Sequence, residues 1–234
     1  MRLAVIPARG GSKRIPYKNI KLFCGKPIIA YSIEVAIKSK LFDKVVVSTD
    51  SAEIAEIAKE YGAEIPFIRP HDLSDDYTGT NEVIKHSIGW YQNQGNEIEA
   101  ICCIYATAPF IRSEYLKQGY DLLCSTNHAY AFSVTSFPFP IQRALKINAS
   151  GEVQAFCPEN NDIRSQDLEE SYHDAGQFYW GRADAFLDDK VIYSKDSMAV
   201  KLPRYLVQDI DTQEDWQRAE LMYQALNLDN SLKT

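Results

Sequence analysis

Leu3-Ala4-Val5-Ile6-Pro7-Ala8-Arg9-Gly10-Gly11-Ser12-Lys13-Arg14 is the stretch on which the fold turns. Its apolar start, residues 3–6, has the length and bounds of a buried strand, and it runs directly into a glycine-rich, basic loop. Glycine lets the backbone curl so that N–H groups face one anion, while Arg9, Ser12 and Lys13 add donors and charge. The loop therefore reads as a cradle for a triphosphate. Its order matches neither the Walker A pattern G-x-x-x-x-G-K-[ST] nor the G-x-G-x-x-G dinucleotide fingerprint. Further apolar runs at 44–49, 64–68 and 100–105 repeat the first strand. Between them, 28–38 and 51–61 carry apolar residues at helical spacing, with Ser51 placed to cap the second helix. Strand alternating with helix implies an α/β fold, its parallel strands joined by right-handed crossovers and helices covering both faces. Such open sheets bind ligands at the carboxyl ends of their strands, so the loops after Ile6, Thr49 and Tyr105 are expected to share one crevice.

The later half is less regular. Segments 144–147 and 152–156 flank Asn148-Ala149-Ser150-Gly151 and read as a hairpin, inside an insertion around 137–172 that can reach over the site or into a second subunit. A helical pattern at 212–226 ends the periodic part of the chain. With no repeat, linker or low-complexity tract, residues 1–234 read as one domain.

Composition narrows the function. Hydrophobic residues at 45% and charged residues at 24% match a globular chain with a real core. A net charge of −7 argues against nucleic-acid binding, which needs many clustered cations. The cations that matter are local: residues 1–26 hold Arg2, Arg9, Lys13, Arg14, Lys18, Lys21 and Lys26 with no acidic residue among them. Five cysteines in no C-x-x-C spacing signal neither a complete disulfide framework nor a zinc site, and reduced cytoplasmic thiols are the simpler reading. Cys102 and Cys103 fall in an apolar run and read as buried strand. No stretch approaches the ~20 apolar residues of a membrane span, so neither a membrane partner nor export is expected.

Beyond the first loop, Asp209-Ile210-Asp211 alternates on an extended segment, so both carboxylates face one side and can share a magnesium ion. Alternatively, Asp211 or Thr212 only caps the last helix. Arg69-Pro70, Asp75-Asp76 and Thr78-Gly79-Thr80 form a polar loop in which Arg69 can hold a base or phosphate and the hydroxyls can bond a pyrimidine edge; a surface loop capping the next helix is the plainer reading. The four histidines lack a Ser or Cys partner in any nucleophile motif, and His173 reads as structural. Phe137-Pro138-Phe139-Pro140 and Phe178-Tyr179-Trp180 read as core or subunit contacts.

At these residues the chain resembles the CMP-sugar-acid synthetases, cytidylyltransferases that activate sialic acid and its relatives. The run Ala8-Arg9-Gly10-Gly11-Ser12-Lys13 with Lys18-Asn19 is similar to their CTP loop. Arg69-Pro70, Leu73 and Thr80 are similar to their nucleotide-side loop, and Asp209-Ile210-Asp211-Thr212 to their metal motif. The matches run in order from end to end. Two departures fall on the sugar side: Tyr105 stands where sialic-acid synthetases carry Gln, and Ala175-Gly176 where they carry Asn-Gly. Tyr105-Ala106-Thr107-Ala108-Pro109-Phe110, Ser165-Gln166-Asp167 and the run from His173 to Tyr179 resemble the pseudaminic acid branch instead.

The resemblance implies a Rossmann-like, mostly parallel sheet of the nucleotide-diphospho-sugar transferase type with a small inserted dimerisation element. It implies transfer of CMP from CTP to an acidic nine-carbon sugar, magnesium as cofactor, and a homodimer in the cytoplasm. Arg9, Lys13 and Asp211 would be catalytic. Ala8 to Lys13, Lys18, Asn19, Arg69, Thr78 and Thr80 would bind CTP; Tyr105, Arg164 and Gln177 the sugar, Arg164 through its carboxylate; and Asp209 with Asp211 the metal.

Overall fold

The computed structural model describes the backbone of residues 1–231 and the side chains of residues 1–228. In chain order it forms β1 (Arg2–Pro7), the two-residue strands β2 (Leu22–Phe23) and β3 (Lys26–Pro27), α1 (Ile28–Ser39), β4 (Lys44–Ser48), α2 (Ala52–Glu60), α3 (Thr80–Asn93) and β5 (Ala100–Ile104). There follow α4 (Ser113–Ser125), β6 (Tyr130–Ser136), β7 (Leu145–Ile147), β8 (Val153–Ala155), β9 (Tyr172–Arg182), the short α5 (Ala183–Leu187), β10 (Ser197–Lys201) and α6 (Gln213–Ser231).

The six-stranded central sheet has the order β10-β6-β9-β5-β1-β4. β1 is parallel to β4 and β5, and β10 to β6, giving the mostly parallel Rossmann-like sheet expected. β9 departs from the parallel scheme and runs antiparallel to both neighbours. It returns from β6 through the insertion rather than through a crossover helix, and only a crossover would have made the pair parallel. The run 64–68 is also not a strand: Glu64 alone bridges to Val46. Pro66 follows at once and has no N–H to give a ladder. Ser51 does cap α2, accepting from the Ile54 amide at 3.4 Å, and β7 pairs with β8 as the expected hairpin.

Strand alternation sends the core both ways. Ala4 and Ile6 of β1 pack with Ile29 and Ile33 of α1, Ile54 of α2 and Leu116 of α4, whereas Leu3 and Val5 pack with Ile84 and Ile88 of α3 and Phe186 of α5. Cys102 and Cys103 are buried between these layers. A third, smaller core matters more for function. Ile15, Phe23, Ile28, Phe110, Leu206, Ile210 and Trp216 cluster together, with Phe23 edge-on to Trp216 at 5.6 Å. Ile15 and Ile210 are nearly fully buried there, each contributing about 1.5–3 kcal/mol. Their burial pins the basic loop after β1 beside the acidic segment before α6, although these lie almost a whole chain apart.

Candidate active site

A cleft of about 460 Å³ opens at the carboxyl ends of β1 and β5, where the crossover topology places it. Arg9, Ser12, Lys13, Lys18, Asn19, Arg69, Thr78, Thr80 and Tyr105 line it, joined by Arg14, Asp75, Asp76 and Thr107. The Asn19 side chain fixes the loop from behind, donating its Nδ2 to the Arg9 carbonyl at 3.0 Å.

Gly10 works differently from expectation. Gly10 donates its amide to Asp50 Oδ1 at 2.9 Å instead of facing the cleft, and a Cβ on it would meet the Ser51 side chain at 3.2 Å. Its smallness lets the loop lie against the start of α2. Neither Gly10, Gly11 nor buried Ala8 lines the cleft, so side chains carry the positive charge there.

That charge is already matched by carboxylates. Arg9 Nη1 lies 2.7 Å from Asp76 Oδ1 and donates to the Asp75 carbonyl at 2.7 Å, while Lys13 Nζ holds the other oxygen of Asp76. Hydrogen bonds from Lys13 first and Arg9 second keep the Asp76 carboxyl below its ordinary value. Arg14 and Lys18 similarly converge on Asp211, at 2.9 and 3.4 Å, and Lys18 also donates to the Ile210 carbonyl at 2.6 Å.

Arg69 is the exception. It is only 5% exposed, its Nε donates to Ser74 Oγ at 3.1 Å, and its Nη2 stands 3.8 Å from Asp50 without a hydrogen bond among the described residues. A buried guanidinium nitrogen left unpaired on a cleft wall is costly unless a ligand supplies the acceptor. Thr78 is less available, since its hydroxyl donates within its own turn to Asp75 Oδ1 at 2.7 Å. Thr80 lines the same cleft as Tyr105.

The acidic segment answers the question of the helix cap. Thr212 Oγ1 accepts from the Asp215 amide at 3.2 Å, Asp215 Oδ2 accepts from the Thr212 amide at 2.8 Å, and the Thr212 carbonyl receives the Trp216 amide. Thr212 and Asp215 thus close α6 between them, and the Asp211 side chain is free of that duty. Asp209 makes no ion pair among the described residues, and its carboxyl is raised above the ordinary value by partial burial and then by the charge of Asp211. Asp209 keeps a carboxylate with no ion pair among the described residues, whereas Asp211 shares its charge with Arg14 and Lys18; as neighbouring carboxylates the two could hold a hard cation. Among the described residues no three His, Cys, Asp or Glu side chains gather into a closed cage. One or two carboxylates completed by phosphate oxygens and water are the usual protein share of a magnesium site.

Two expected sugar contacts lie elsewhere. Arg164 is exposed at the start of the turn Ser165–Asp167 in the insertion and does not line the cleft. Gln177 is buried behind it, donating Nε2 to the Leu206 carbonyl, with Oε1 unpartnered among the described residues. His173 packs edge-on against Phe137, and Phe178 and Trp180 are core.

Comparison with known proteins decides the family. A cytidylyltransferase family model matches residues 3–138, more than half the chain. The chain belongs to the cytidylyltransferases. A pseudaminic acid cytidylyltransferase of Campylobacter jejuni is 46% identical over 94% of this chain and 95% of its own. A CMP-N,N'-diacetyllegionaminic acid synthase of Legionella pneumophila is 29% identical over 93% and 94%. In fold, this cytidylyltransferase is similar to a CMP:2-keto-3-deoxy-manno-octonic acid synthetase complexed with CTP, with TM-score 0.68 and 17% identity, covering 96% of this chain and 99% of that one.

Around the cleft of this cytidylyltransferase the structure shows supporting residues that sequence reasoning passed over. Asp50 lies just past the end of β4 and accepts from the Gly10 amide, and its place at the carboxyl end of a strand was the available signal. Asp174 and Tyr179 gave none, because a regular strand would put residues five apart on opposite faces. Gly176, at φ +61°, sits in an irregular stretch of β9 where the pairing with β6 shifts, and that irregularity brings both side chains together.

Proposed function

We propose that the protein transfers CMP from CTP to the anomeric hydroxyl of a nonulosonic acid, pseudaminic acid foremost, and releases pyrophosphate. The observation that carries this is one cleft with Arg9, Lys13 and the half-paired, buried Arg69 at one end and Tyr105 at the other. The 46% identity to a pseudaminic acid cytidylyltransferase supports the choice of sugar.

In the reaction the sugar's anomeric oxygen forms a bond to the α-phosphorus of CTP. The bond from that phosphorus to the bridging oxygen breaks, and the hydroxyl proton is lost. Phosphoryl-type transfers of this kind depend on positioning and charge neutralisation. Arg9 and Lys13 exchange Asp76 for phosphate oxygens, and Arg69 gives its free Nη2 to the nucleotide. Asp209 and Asp211 would hold magnesium, which supplies charge neutralisation at the phosphates and eases ionisation of the attacking hydroxyl. Lys18, already bonded beside Asp211, keeps that segment against the loop.

A homodimer in the cytoplasm completes the proposal. Its support is the insertion, where Phe139, Leu145, Ile147, Val153 and Phe156 are all more than 60% exposed. Apolar exposure of that density suits a second copy, which could also bring Arg164 to a neighbouring cleft.

The test is incubation with CTP, magnesium and pseudaminic, legionaminic and N-acetylneuraminic acids. Pyrophosphate release and the mass of the CMP-sugar are read out, with light scattering on the same sample. Pseudaminic acid is expected to give the highest kcat/KM. Equal efficiency with N-acetylneuraminic acid removes the sugar assignment, and no pyrophosphate with any acid leaves a nucleotide-binding regulator.

A further inference from the structure

The segment between β10 and α6 carries Asp209 and Asp211, and three side chains from elsewhere in the chain hold its carbonyls. Thr135 Oγ1 donates to the Leu202 carbonyl at 2.9 Å, Gln177 Nε2 to the Leu206 carbonyl, and Lys18 Nζ to the Ile210 carbonyl at 2.6 Å. No main-chain amide donates to the Leu206 carbonyl among the described residues. Leu206 and Ile210 are both buried in the third core, but apolar packing is non-directional and leaves a chain free to slide. The hydrogen bonds supply the direction. Those from Gln177 and Lys18 pin carbonyls four residues apart, with Asp209 between the pins and Asp211 directly after the second.

Gln177 is an unusual residue for this place. Glutamine is mostly a surface residue, yet Gln177 is almost fully buried on β9. A carbonyl can only accept, so the amide must present its nitrogen to Leu206. Its Oε1 is thereby left without a partner among the described residues, which costs about 1–3 kcal/mol. An apolar side chain would remove that orphan and leave the Leu206 carbonyl unpaired instead, so stability hardly distinguishes the two. What the amide adds is a fixed position for Leu206. Its main chain has a second duty, because the Gln177 carbonyl accepts the Tyr105 amide at 2.9 Å, one step beyond the pairing of Ile104 with Phe178. One residue thus links the end of β5, where Tyr105 enters the cleft, to the acidic segment.

We infer that Gln177 is a positioning residue, a tether that sets Asp209 and Asp211 for the metal. Lying outside the cleft lining, it touches neither nucleotide nor sugar. This rests on the proposed reading in which those two carboxylates hold magnesium. It moves Gln177 from the sugar contacts, where the resemblance put it, to the metal side of the same cleft.

The test is the gain in CTP affinity that magnesium brings, measured calorimetrically as the ratio of Kd values without and with saturating magnesium. Sugar acid is omitted, so nothing turns over. Asp209→Asn marks the site and should remove most of the gain. Gln177→Met, close in size but without a donor, should lower the gain about three- to tenfold, below the roughly 10–100-fold typical of groups bonded directly to a metal ligand. Gln177→Asn, whose amide is one methylene too short, should do the same, so that neither polarity nor packing explains the loss. The magnesium-free Kd should stay unchanged in both, because the basic loop is untouched. Gln177→Met combined with Asp209→Asn should be no worse than Asp209→Asn alone, since the tether acts through that segment. Thr135→Val is the control: it cuts a buried bond on the same segment farther from the carboxylates, and should lower the melting temperature while keeping the magnesium gain. A full gain in either Gln177 variant, a magnesium-free Kd weakened as much as the magnesium-bound one, or an equal loss of gain in Thr135→Val would each overturn the inference and leave the metal reading standing. No gain in the wild type, or an undiminished gain in Asp209→Asn, would instead overturn the metal reading and the tether with it.

Discussion

The two ends of the cleft are built from different materials. At the proposed phosphate end, Arg9, Lys13, Arg14 and Lys18 come from one ten-residue stretch and meet carboxylates on exposed loops; the Lys13 and Arg14 side chains are 78% and 69% exposed. At the proposed sugar end, half-buried Tyr105 packs its ring against that of buried Tyr179, whose hydroxyl donates to the Asp174 carboxylate. Exposed ion pairs are worth roughly 0–1 kcal/mol, so Asp76 is easily traded for a phosphate. Buried hydrogen bonds leave a penalty of about 1–3 kcal/mol when one partner is lost, so the sugar end should be set before substrate arrives. One end holds its place with removable counter-charges; the other is preorganised.

The largest effect is expected at the removable end. Lys13→Ala should lower turnover ~100-fold or more, because a charge-assisted contact to a phosphate that gains charge in the transition state disappears. The loss should appear in kcat with sugar Kd unchanged. Near-normal turnover would take Lys13 out of the site and erase the contrast.

Next comes the acidic segment that borders the same end. Asp211→Asn should raise the magnesium concentration needed for half-maximal activity by at least about tenfold, since even residues that merely hydrogen-bond to metal ligands cost that much. Thr212→Ala is the control. It removes the cap of α6 and should cost about 1 kcal/mol of stability while leaving the magnesium titration in place. If Asp211→Asn instead behaves like Thr212→Ala, the carboxylate is structural.

The same contrast governs what the sequence reveals. The phosphate end is legible because its chemistry is local: a strand, two glycines and the cations within residues 3–19 carry their meaning in consecutive positions. The hairpin at β7 and β8 is legible for the same reason, as Asn148 Oδ1 accepts from the Ser150 and Glu152 amides and Gly151 takes φ +83°. The run 64–68 misleads because apolar character survives where Pro66 has removed the ladder. The sugar end is illegible because it depends on an antiparallel β9 and on an irregularity within it, and neither leaves a periodic trace. Asp76 was visible as a residue of a polar loop, but its partner Lys13 lies 63 positions away and only the third core and the crossovers bring them together.

The smallest effect should come from Asp76 itself, and its sign is informative. Asp76 occupies Arg9 and Lys13 in the ligand-free protein, and the hydrogen bonds from Lys13 and Arg9 that depress its carboxyl keep it ionised well below neutral pH. In the proposed site, CTP would therefore displace a carboxylate before its phosphates gain the two cations. Asp76→Asn keeps the side chain's size but removes the charge, so CTP should bind more tightly by about 1.5- to fivefold, the scale of a screened surface ion pair. The gain should shrink between 0.05 and 0.5 M salt, since exposed charges are screened within about 10 Å at 0.1 M and less at higher salt. It should also vanish when the wild type is acidified far enough to protonate Asp76, because both proteins then present the same uncharged side chain. Calorimetric CTP titrations at two salt concentrations measure both slopes. Weaker CTP binding in Asp76→Asn would mean that the carboxylate holds Arg9 and Lys13 in position for the nucleotide, and the phosphate end would then be preorganised in the same sense as the sugar end.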